Sequence, residues 1–210
     1  MSLRLVTPPA DLAVSLDEAK AHLRVDSTDE DAVIAGCIAG AIGWIDGATG
    51  WLGRALGVQT WDMALDGFPG QGLASERREG DFRQPRHRDR RIVVPLPPLR
   101  SVESVSYLDD DGEAVPMDPT LYRVVDKGDQ CSHIVPVPGA CWPSVPCTED
   151  AVTVRFEAGY VIVPPAVRSA ILLLVGHLYE NREAVNVGNV VTPMPLGVEA
   201  LLSPFKVWPA

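Results

Sequence analysis

Residues 15–50 read SLDEAKAHLRVDSTDEDAVIAGCIAGAIGWIDGATG, and the pattern of this stretch decides the class of fold. It begins with a capping box, because the hydroxyl of Ser15 and the carboxylate of Glu18 are spaced to satisfy free N–H groups at the start of a helix. This first helix is predicted to end near Arg24. A second helix should begin after the run Ser27–Asp31, because its acidic residues favour the positive end of a helix dipole and apolar residues then recur at helical spacing from Val33.

The second predicted helix is rich in glycine. The glycines fall at spacings of four, three and four along one side of the helix: Gly36, Gly40, Gly43 and Gly47. Each costs about 1 kcal/mol relative to alanine inside a helix. We therefore interpret them as a flat strip for close helix packing, in the same chain or in a neighbouring subunit. The alternative is a solvated face that tolerates glycine. Gly50 is expected to end the helix in the left-handed conformation.

Between residues 58 and 160 the sequence changes from helical to alternating periodicity. Apolar and polar residues alternate in short runs that predict strands at residues 61–65, 92–94, 102–108 and 152–156. Three aspartates followed by Gly112 separate two such runs and predict a hairpin turn, since they lack the ligand spacing of a calcium loop. This region is expected to be rich in β-structure.

Helical periodicity returns after Pro165, where proline suits the first turn of a helix. The predicted buried stripe consists of Val167, Ala170, Ile171, Leu174 and Leu178. Leu172 and Leu173 add apolar surface on another side, which needs further partners. The predicted fold class is therefore α+β. A helical core from residues 1–57 and 161–185 carries the β-rich region 58–160 as an insert.

Residues 186–210 form a tail with several prolines and large apolar side chains. Pro193 and Pro195 keep this tail from continuing the long helix. Its large apolar residues are Val198, Leu201, Leu202, Phe205 and Trp208. Aromatic residues on a terminal segment usually dock, either on the body of their own chain or on a partner. We interpret the tail as a docking arm, with folding back onto the helices as the rival interpretation.

The composition excludes several classes of function. The chain of 210 residues carries 18 basic and 28 acidic residues, a net charge of −10. This acidity argues against tight wrapping of nucleic acid. No apolar run approaches the ~20 residues that span a bilayer. No motif for nucleophilic catalysis, metal-dependent hydrolysis or nucleotide binding occurs. We therefore expect neither enzyme activity nor a cofactor.

Residues 75–91 depart from this acidic background. Seven arginines oppose four acids here: Arg77, Arg78, Arg83, Arg86, Arg88, Arg90 and Arg91. One interpretation is a solvated loop. The other is a contact for an acidic partner or for passing DNA. Aromatic side chains for base stacking are nearly absent from this segment, so sequence-specific recognition is not expected.

Cys131, His133, Cys141 and Cys147 are the candidates for a metal site or a Cys–His catalytic pair. Their spacings match no recurrent zinc pattern. No third group is placed by pattern to orient a Cys–His pair. A small cytosolic hydrolase or ligand-binding protein that uses the β-rich middle is the alternative function.

A series of short motifs extends over nearly the whole chain in a characteristic order. They are SLDEAKAHLRVD (15–26), QTW (59–61), VPLPPL (94–99), VSYLD (105–109), FEAGY (156–160) and AILLLVGHLYENRE (170–183). In this order and spacing they resemble the phage head–tail connector (adaptor) proteins of long-tailed phages and gene transfer agents. The arginine-rich segment and the last dozen residues match no part of that pattern.

The resemblance implies a structural virion protein. Such adaptors form a ring, usually of twelve copies, between the portal of a filled capsid and a stopper or tail component. Double-stranded DNA passes through the ring without being chemically changed, and no membrane is involved. By this resemblance the tail would grip the portal. In such a ring, Gly36, Gly40, Gly43, Gly47, Leu172 and Leu173 are our candidates for packing between subunits.

Overall fold

A computed structural model describes residues 1–70, 90–146, 148–181 and 196–208, with only the backbone of residue 196. The α+β class is confirmed. The elements are β1 (Ser2–Thr7), α1 (Leu16–Leu23), α2 (Asp31–Ile45), β2 (Gln59–Leu65), β3 (Ile92–Val94), β4 (Leu99–Leu108), β5 (Ala114–Pro116), β6 (Tyr122–Val125), β7 (Ser132–Pro136), β8 (Val152–Ala158), α3 (Pro165–Glu180) and α4 (Leu196–Leu202). Short 3-10 turns occur at Pro119–Leu121 and Ser203–Phe205.

The chain divides into two compact units. Met1–Pro8 and Val58–Gly159 form the strand unit, and Pro9–Gly57 and Tyr160–Ala210 form the helical unit. No helix within the described residues is long and apolar enough to cross a membrane.

The strand unit contains two antiparallel sheets. The larger sheet has the strand order β1-β2-β8-β4-β5, and the smaller has the order β3-β7-β6. Strand β8 is the central strand of the larger sheet. Buried and half-buried residues alternate along it as the sequence predicts, and Val152, Val154 and Phe156 are fully buried. Phe156 pairs with Trp61 of β2, and Val154 pairs with Met63. This alternation places one face of the sheet in the core.

Strand β1 was not predicted, since residues 1–57 were assigned to the helical core. It pairs with β2 at the edge of the larger sheet, and nearly all of its residues are exposed. An exposed edge strand needs no alternation of apolar and polar residues, so its sequence lacks the usual signal. Strands β6 and β7 were also missed, because their short runs do not alternate cleanly.

Asp62 connects three strands of the larger sheet through two arginines. The Nε and Nη2 atoms of Arg155 donate to its two carboxylate oxygens at 2.7 and 2.9 Å. The Nη2 atom of Arg4 donates to the same carboxylate at 2.9 Å. The bonds from Arg155, followed by those from Arg4, lower the pKa of Asp62, although burial opposes them. Asp62 is therefore held ionised beneath two exposed arginines.

The hairpin between β4 and β5 is confirmed. The Asp109 carboxylate accepts hydrogen bonds from the backbone N–H groups of Asp111 and Glu113, at 3.0 and 2.9 Å. Gly112 has a φ of +83°, a conformation that glycine adopts without steric cost. The aspartate-rich sequence thus forms a turn.

The helical unit is built around α2 and α3, with α1 and α4 packed against them. Its buried apolar residues are Val14, Ala19, Ile34, Ile38, Ala41, Ile45, Leu52, Leu56, Val167, Ala170, Ile171, Leu174, Val175, Val198 and Leu202. The predicted cap of α1 is confirmed, because Ser15 Oγ accepts a hydrogen bond from the backbone N–H of Glu18 at 3.2 Å. Lys20 of α1 and Asp31 of α2 form an ion pair at 2.6 Å.

The prediction for the end of α2 was wrong. The helix ends at Ile45, and Asp46 has the extended conformation. Gly47 has a φ of +79° and lies outside the helix, so it does not belong to the glycine strip. Gly50 is not left-handed; it sits in a tight turn where a Cβ atom would come within 2.2 Å of the Asp46 carbonyl oxygen. The turn returns the chain so that the Trp51 N–H donates to the Trp44 carbonyl.

Helix α3 begins at Pro165 as predicted and ends at Glu180. Four residues of the predicted stripe are buried, but Leu178 is 38% exposed. Val175 occupies the core instead. Leu178 therefore lies at the surface of the helical unit.

Candidate assembly surface

The outer face of α2 is formed by glycines. Gly36, Gly40 and Gly43 are exposed. A Cβ atom added at Gly36 or Gly43 would meet nothing within 4 Å, whereas one at Gly40 would lie 3.8 Å from Leu178 Cδ1 of α3. The described part of the chain therefore leaves most of this strip open, and it does not supply the closely packed partner helix that the glycine spacing suggests.

Beside the strip, α2 and α3 enclose a shallow groove of about 290 Å³. Its walls are formed by Gly40, Ala41, Trp44, Leu174, His177 and Leu178. The side chains of Trp44 and Leu178 are 40% and 38% exposed. The groove is mainly apolar and open to solvent, which is typical of a surface for protein contacts.

Aromatic side chains continue this surface from the groove to the C-terminal segment. Trp44 and Trp51 stack with ring centroids 6.1 Å apart. The Lys206 ammonium lies 3.9 Å from the centre of the Trp51 ring and 4.9 Å from that of Trp208. Trp208 is 70% exposed. We call the glycine strip, the groove and this aromatic row the assembly surface. Tryptophan is among the residues that contribute most to protein interfaces.

The C-terminal segment folds back onto its own unit, which corrects the picture of a free arm. Val198 and Leu202 have no exposed surface, so they belong to the core and are not available for docking. Leu201 and Phe205 are half-buried against the same core. Of the five predicted anchors, Trp208 alone is largely exposed. Residues 196–208 therefore fold back onto the helices, which was the alternative to a docking arm.

Arg54 holds the end of this segment in place. Its side chain is buried, its Nε atom donates to the Phe205 carbonyl at 2.6 Å, and its Nη1 atom donates to the Tyr160 hydroxyl at 2.5 Å. The Val207 N–H also donates to the Leu52 carbonyl at 2.9 Å. These bonds place Lys206 and Trp208 beside Trp51.

A second exposed apolar site lies at the start of α3. Val161 and Ile162 are 70% and 77% exposed. They precede α3, whose axis rises about 14–20 Å from its first residue to the groove residues Leu174 and Leu178. Leu173, which the sequence assigned to subunit packing, is 42% exposed, and Leu172 is half-buried against the core. The helical unit thus presents apolar surface near both ends of α3.

The arginine-rich segment is only partly described. Arg77, Arg78, Arg83, Arg86 and Arg88 lie outside the described residues. Arg90 and Arg91 are described, and both line a concavity on the strand unit together with His133. Among the described residues no group of three His, Cys, Asp or Glu side chains could hold a metal ion, and Cys147 lies outside them.

Sequence analysis missed Trp44 and Trp51 of the assembly surface, although it named Trp208. Trp44 follows Gly40 by four residues, so the two share one face of α2, and this spacing was the available signal. Trp51 could not be assigned, because its position depends on the turn after α2. Lys206 and Trp208 reach it only because the tail folds back.

Comparison with solved structures finds likenesses over the entire chain. One chain, from the neck of an empty GTA particle computed with C6 symmetry, matches with a TM-score of 0.72 and 24% identity. A chain from the virion of a native gene transfer agent (GTA) particle gives the same values. A chain from the neck of a native GTA particle computed with C12 symmetry matches with a TM-score of 0.66 and 21% identity.

Each of these matches covers 100% of this chain and 97% of the other. At such identities the likeness shows a shared fold. No protein-family profile matches the chain, and no curated protein does.

Proposed function

We propose that this chain is a structural protein of the neck of a phage-like particle, where it forms a head–tail adaptor ring. The observation that carries the proposal is the likeness of fold to GTA neck and virion chains over the full length of both partners. A match of this extent includes both units. The motifs that resemble the connector family support the same role, which needs no catalytic group.

The surfaces of the helical unit support a ring of identical copies. A ring is built from heterologous contacts, in which one patch of a subunit meets a different patch of its neighbour. The two separate apolar patches are the exposed Val161 and Ile162 and, at the other patch, the glycine strip with its groove. The neck chains similar to this one come from particles computed with C6 and C12 symmetry, and a twelve-membered ring is compatible with both.

We further propose where the partners of the ring lie in the particle. The portal lies on one side of the ring and a stopper or tail component on the other, and double-stranded DNA passes through the centre. Trp208 is the anchor of the C-terminal segment that remains available to the portal. The glycine strip and Leu173 face the neighbouring subunit.

The proposal is tested by imaging and by incorporation into particles. Electron microscopy of particles that carry the chain should show it in a symmetric ring at the neck. Gly36→Leu adds a large side chain to the open glycine strip, and overpacking an interface costs about 1–3 kcal/mol. Assembly should therefore weaken about tenfold or more, while the melting temperature of the isolated chain stays the same or rises.

The matched control is Ala35→Leu. Ala35 is also exposed on α2, but it points about 100° away from Gly36. This variant should assemble normally. Equal assembly of the two variants would remove the glycine strip from the interface, and absence of the chain from the neck would overturn the proposed function.

A further inference from the structure

The smaller sheet of the strand unit carries a concentration of positive charge. Its outward side borders a concavity of about 380 Å³. The basic residues that line it are Arg90, Arg91, Arg123, Lys127 and His133. We call these five residues the basic face. Among the described residues no aspartate or glutamate lines this concavity. In a chain with a net charge of −10, such a separation of charge needs an explanation.

The sheet order explains how these residues come together. Strand β7 lies between β3 and β6, and His133 of β7 pairs with Val93 on one side and Val125 on the other. Arg91 precedes β3, whereas Arg123 and Lys127 lie on and just beyond β6. The cations therefore lie on both sides of His133, across about 10 Å of sheet and about 13 Å along β6.

Asp126, which precedes Lys127 in sequence, forms hydrogen bonds within its own turn. The Asp126 carboxylate accepts hydrogen bonds from the Gly128 N–H at 2.8 Å and the Ser132 hydroxyl at 3.1 Å, both within the β6–β7 turn. Burial lowers the pKa of His133, and the charges of Arg91 and Lys127 lower it further. The His133 Nδ1 atom is buried and has no hydrogen-bond partner among the described residues. The positive charge of the basic face therefore comes from its arginines and Lys127, and none of the described lining residues is a carboxylate.

We propose that the basic face binds the phosphate backbone of double-stranded DNA. Cations spread over more than 10 Å fit an extended polymer of repeated charge better than one small anion. The remaining lining residues are small or aliphatic, and no tryptophan, tyrosine or phenylalanine is among the described ones. A protein interface usually relies on such aromatic anchors. Phosphate contacts need only cations and carry no sequence preference.

This inference deepens the proposed function, since it rests on that function for the choice of DNA as the polyanion. It also modifies the expectation that an acidic chain would not hold DNA. The net charge repels the duplex over most of the surface, while the basic face provides a local and salt-sensitive contact. Such a contact would guide the duplex without binding it tightly.

The test is fluorescence anisotropy of a short labelled duplex of mixed sequence with the full-length chain, at salt concentrations from about 20 to 200 mM. Arg123→Gln and Lys127→Gln should each weaken binding several-fold at low salt. Each should also reduce the slope of log affinity against log salt by about one. The backbone hydrogen bond from Lys127 N–H to Ser132 Oγ does not involve the Lys127 side chain, so Lys127→Gln should fold normally.

Arg100→Gln is the matched control, because Arg100 is an exposed strand arginine of the same unit, paired with Glu157 at 3.2 Å. It should leave the salt slope unchanged. Three results would overturn the inference: no binding of the duplex at 20 mM salt, the same slope in all variants, or Arg123-dependent binding of polyglutamate without binding of the duplex. The last result would assign the basic face to an acidic protein.

Failure here is distinguishable from failure of the proposed function. A chain that forms neck rings but does not bind the duplex through the basic face overturns only this inference. A chain absent from the neck overturns the proposed function.

Discussion

Gly50 and Gly36 both lie in the helical unit, but a side chain would meet different surroundings at the two positions. At Gly50 a Cβ atom would lie 2.2 Å from the Asp46 carbonyl oxygen and 2.6 Å from the Ile45 carbonyl carbon. Backbone atoms cannot move away without breaking the turn after α2. At Gly36 there is open space. The turn therefore requires glycine at position 50, whereas the fold of the helical unit leaves room for a side chain at position 36.

Gly50→Ala should destabilise the protein, and Gly36→Ala should stabilise it. The first substitution forces the turn open, at a cost of about 2–3 kcal/mol. The second removes a glycine from an exposed helix interior, which is worth about 0.5–1 kcal/mol. Thermal unfolding followed by circular dichroism measures both. A stable Gly50→Ala variant would show that the turn relaxes.

Asp62→Asn should cost about 1–3 kcal/mol at neutral pH, because the two arginines then face a neutral amide. The side chains of Arg4 and Arg155 are 77% and 42% exposed. Because solvent weakens exposed ion pairs, we expect a loss of stability near the lower end of this range. Denaturant unfolding measures the difference between the two proteins. Arg100→Gln should change the free energy of unfolding less, because its carboxylate partner Glu157 is 30% exposed, against 8% for Asp62.

Asp62→Asn should also change how the free energy of unfolding depends on pH in acid. The pKa of Asp62 is lower in the folded chain than its ordinary value of 3.8. Its contribution is therefore fully present above the unfolded pKa and is lost as the pH falls through the folded pKa. The stability difference between the wild type and Asp62→Asn should be constant above about pH 5 and shrink below it. A difference that grows on acidification would contradict this assignment.

At the scale of elements, the C-terminal segment combines core residues with one exposed aromatic residue. Leu202→Ala should destabilise the helical unit by about 2–5 kcal/mol, because it leaves a cavity at a site with no exposure. Trp208→Ala should change stability by less than about 0.5 kcal/mol and, if the proposed portal contact forms, still weaken it. Melting temperatures and pull-down with the portal separate the two effects. If Trp208→Ala destabilised the protein as much as Leu202→Ala, the whole C-terminal segment would serve to stabilise the fold.

Elements with local signals were predictable from the sequence. Helix α1 has its capping box, β8 has its alternation, and the hairpin has Asp109 and Gly112. The elements that were missed depend on contacts distant in sequence. Strand β1 is ordered by pairing with β2, and α2 ends at Ile45 because the following turn packs back on it. The sequence also could not show that the apolar residues of the tail are divided between core and surface.

Contacts between residues distant in sequence also limited the prediction of both candidate sites. The glycine strip was visible as a spacing on one helix, but Trp51 and Lys206 join it only after the chain has folded. The basic face brings Arg91, Arg123 and Lys127 together from separate strands, and no sequence window contains all three. The sequence showed the local reversal of charge at residues 75–91, but it could not show that Arg123 and Lys127 join Arg90 and Arg91 at one concavity.

At the scale of the whole molecule, the helical unit is interrupted by the strand unit at a single point. The Tyr160 N–H donates to the Leu56 carbonyl at 3.1 Å, and Gly57 and Tyr160 form a parallel bridge. The two chain ends at the interruption are therefore about 5 Å apart. The helical unit also has a core of its own, made from residues on both sides of the insert.

A shortened chain with residues 9–57 joined to residues 160–210 by two or three glycines should therefore fold by itself. The short connection costs little loop entropy, and the residues that form the core of the helical unit are all retained. We expect a helical circular dichroism spectrum and one cooperative thermal transition. Ile38→Asp in the same shortened chain is the control, since a buried charge should abolish the transition. A non-cooperative, poorly helical shortened chain would show that the helical unit requires the strand unit to fold.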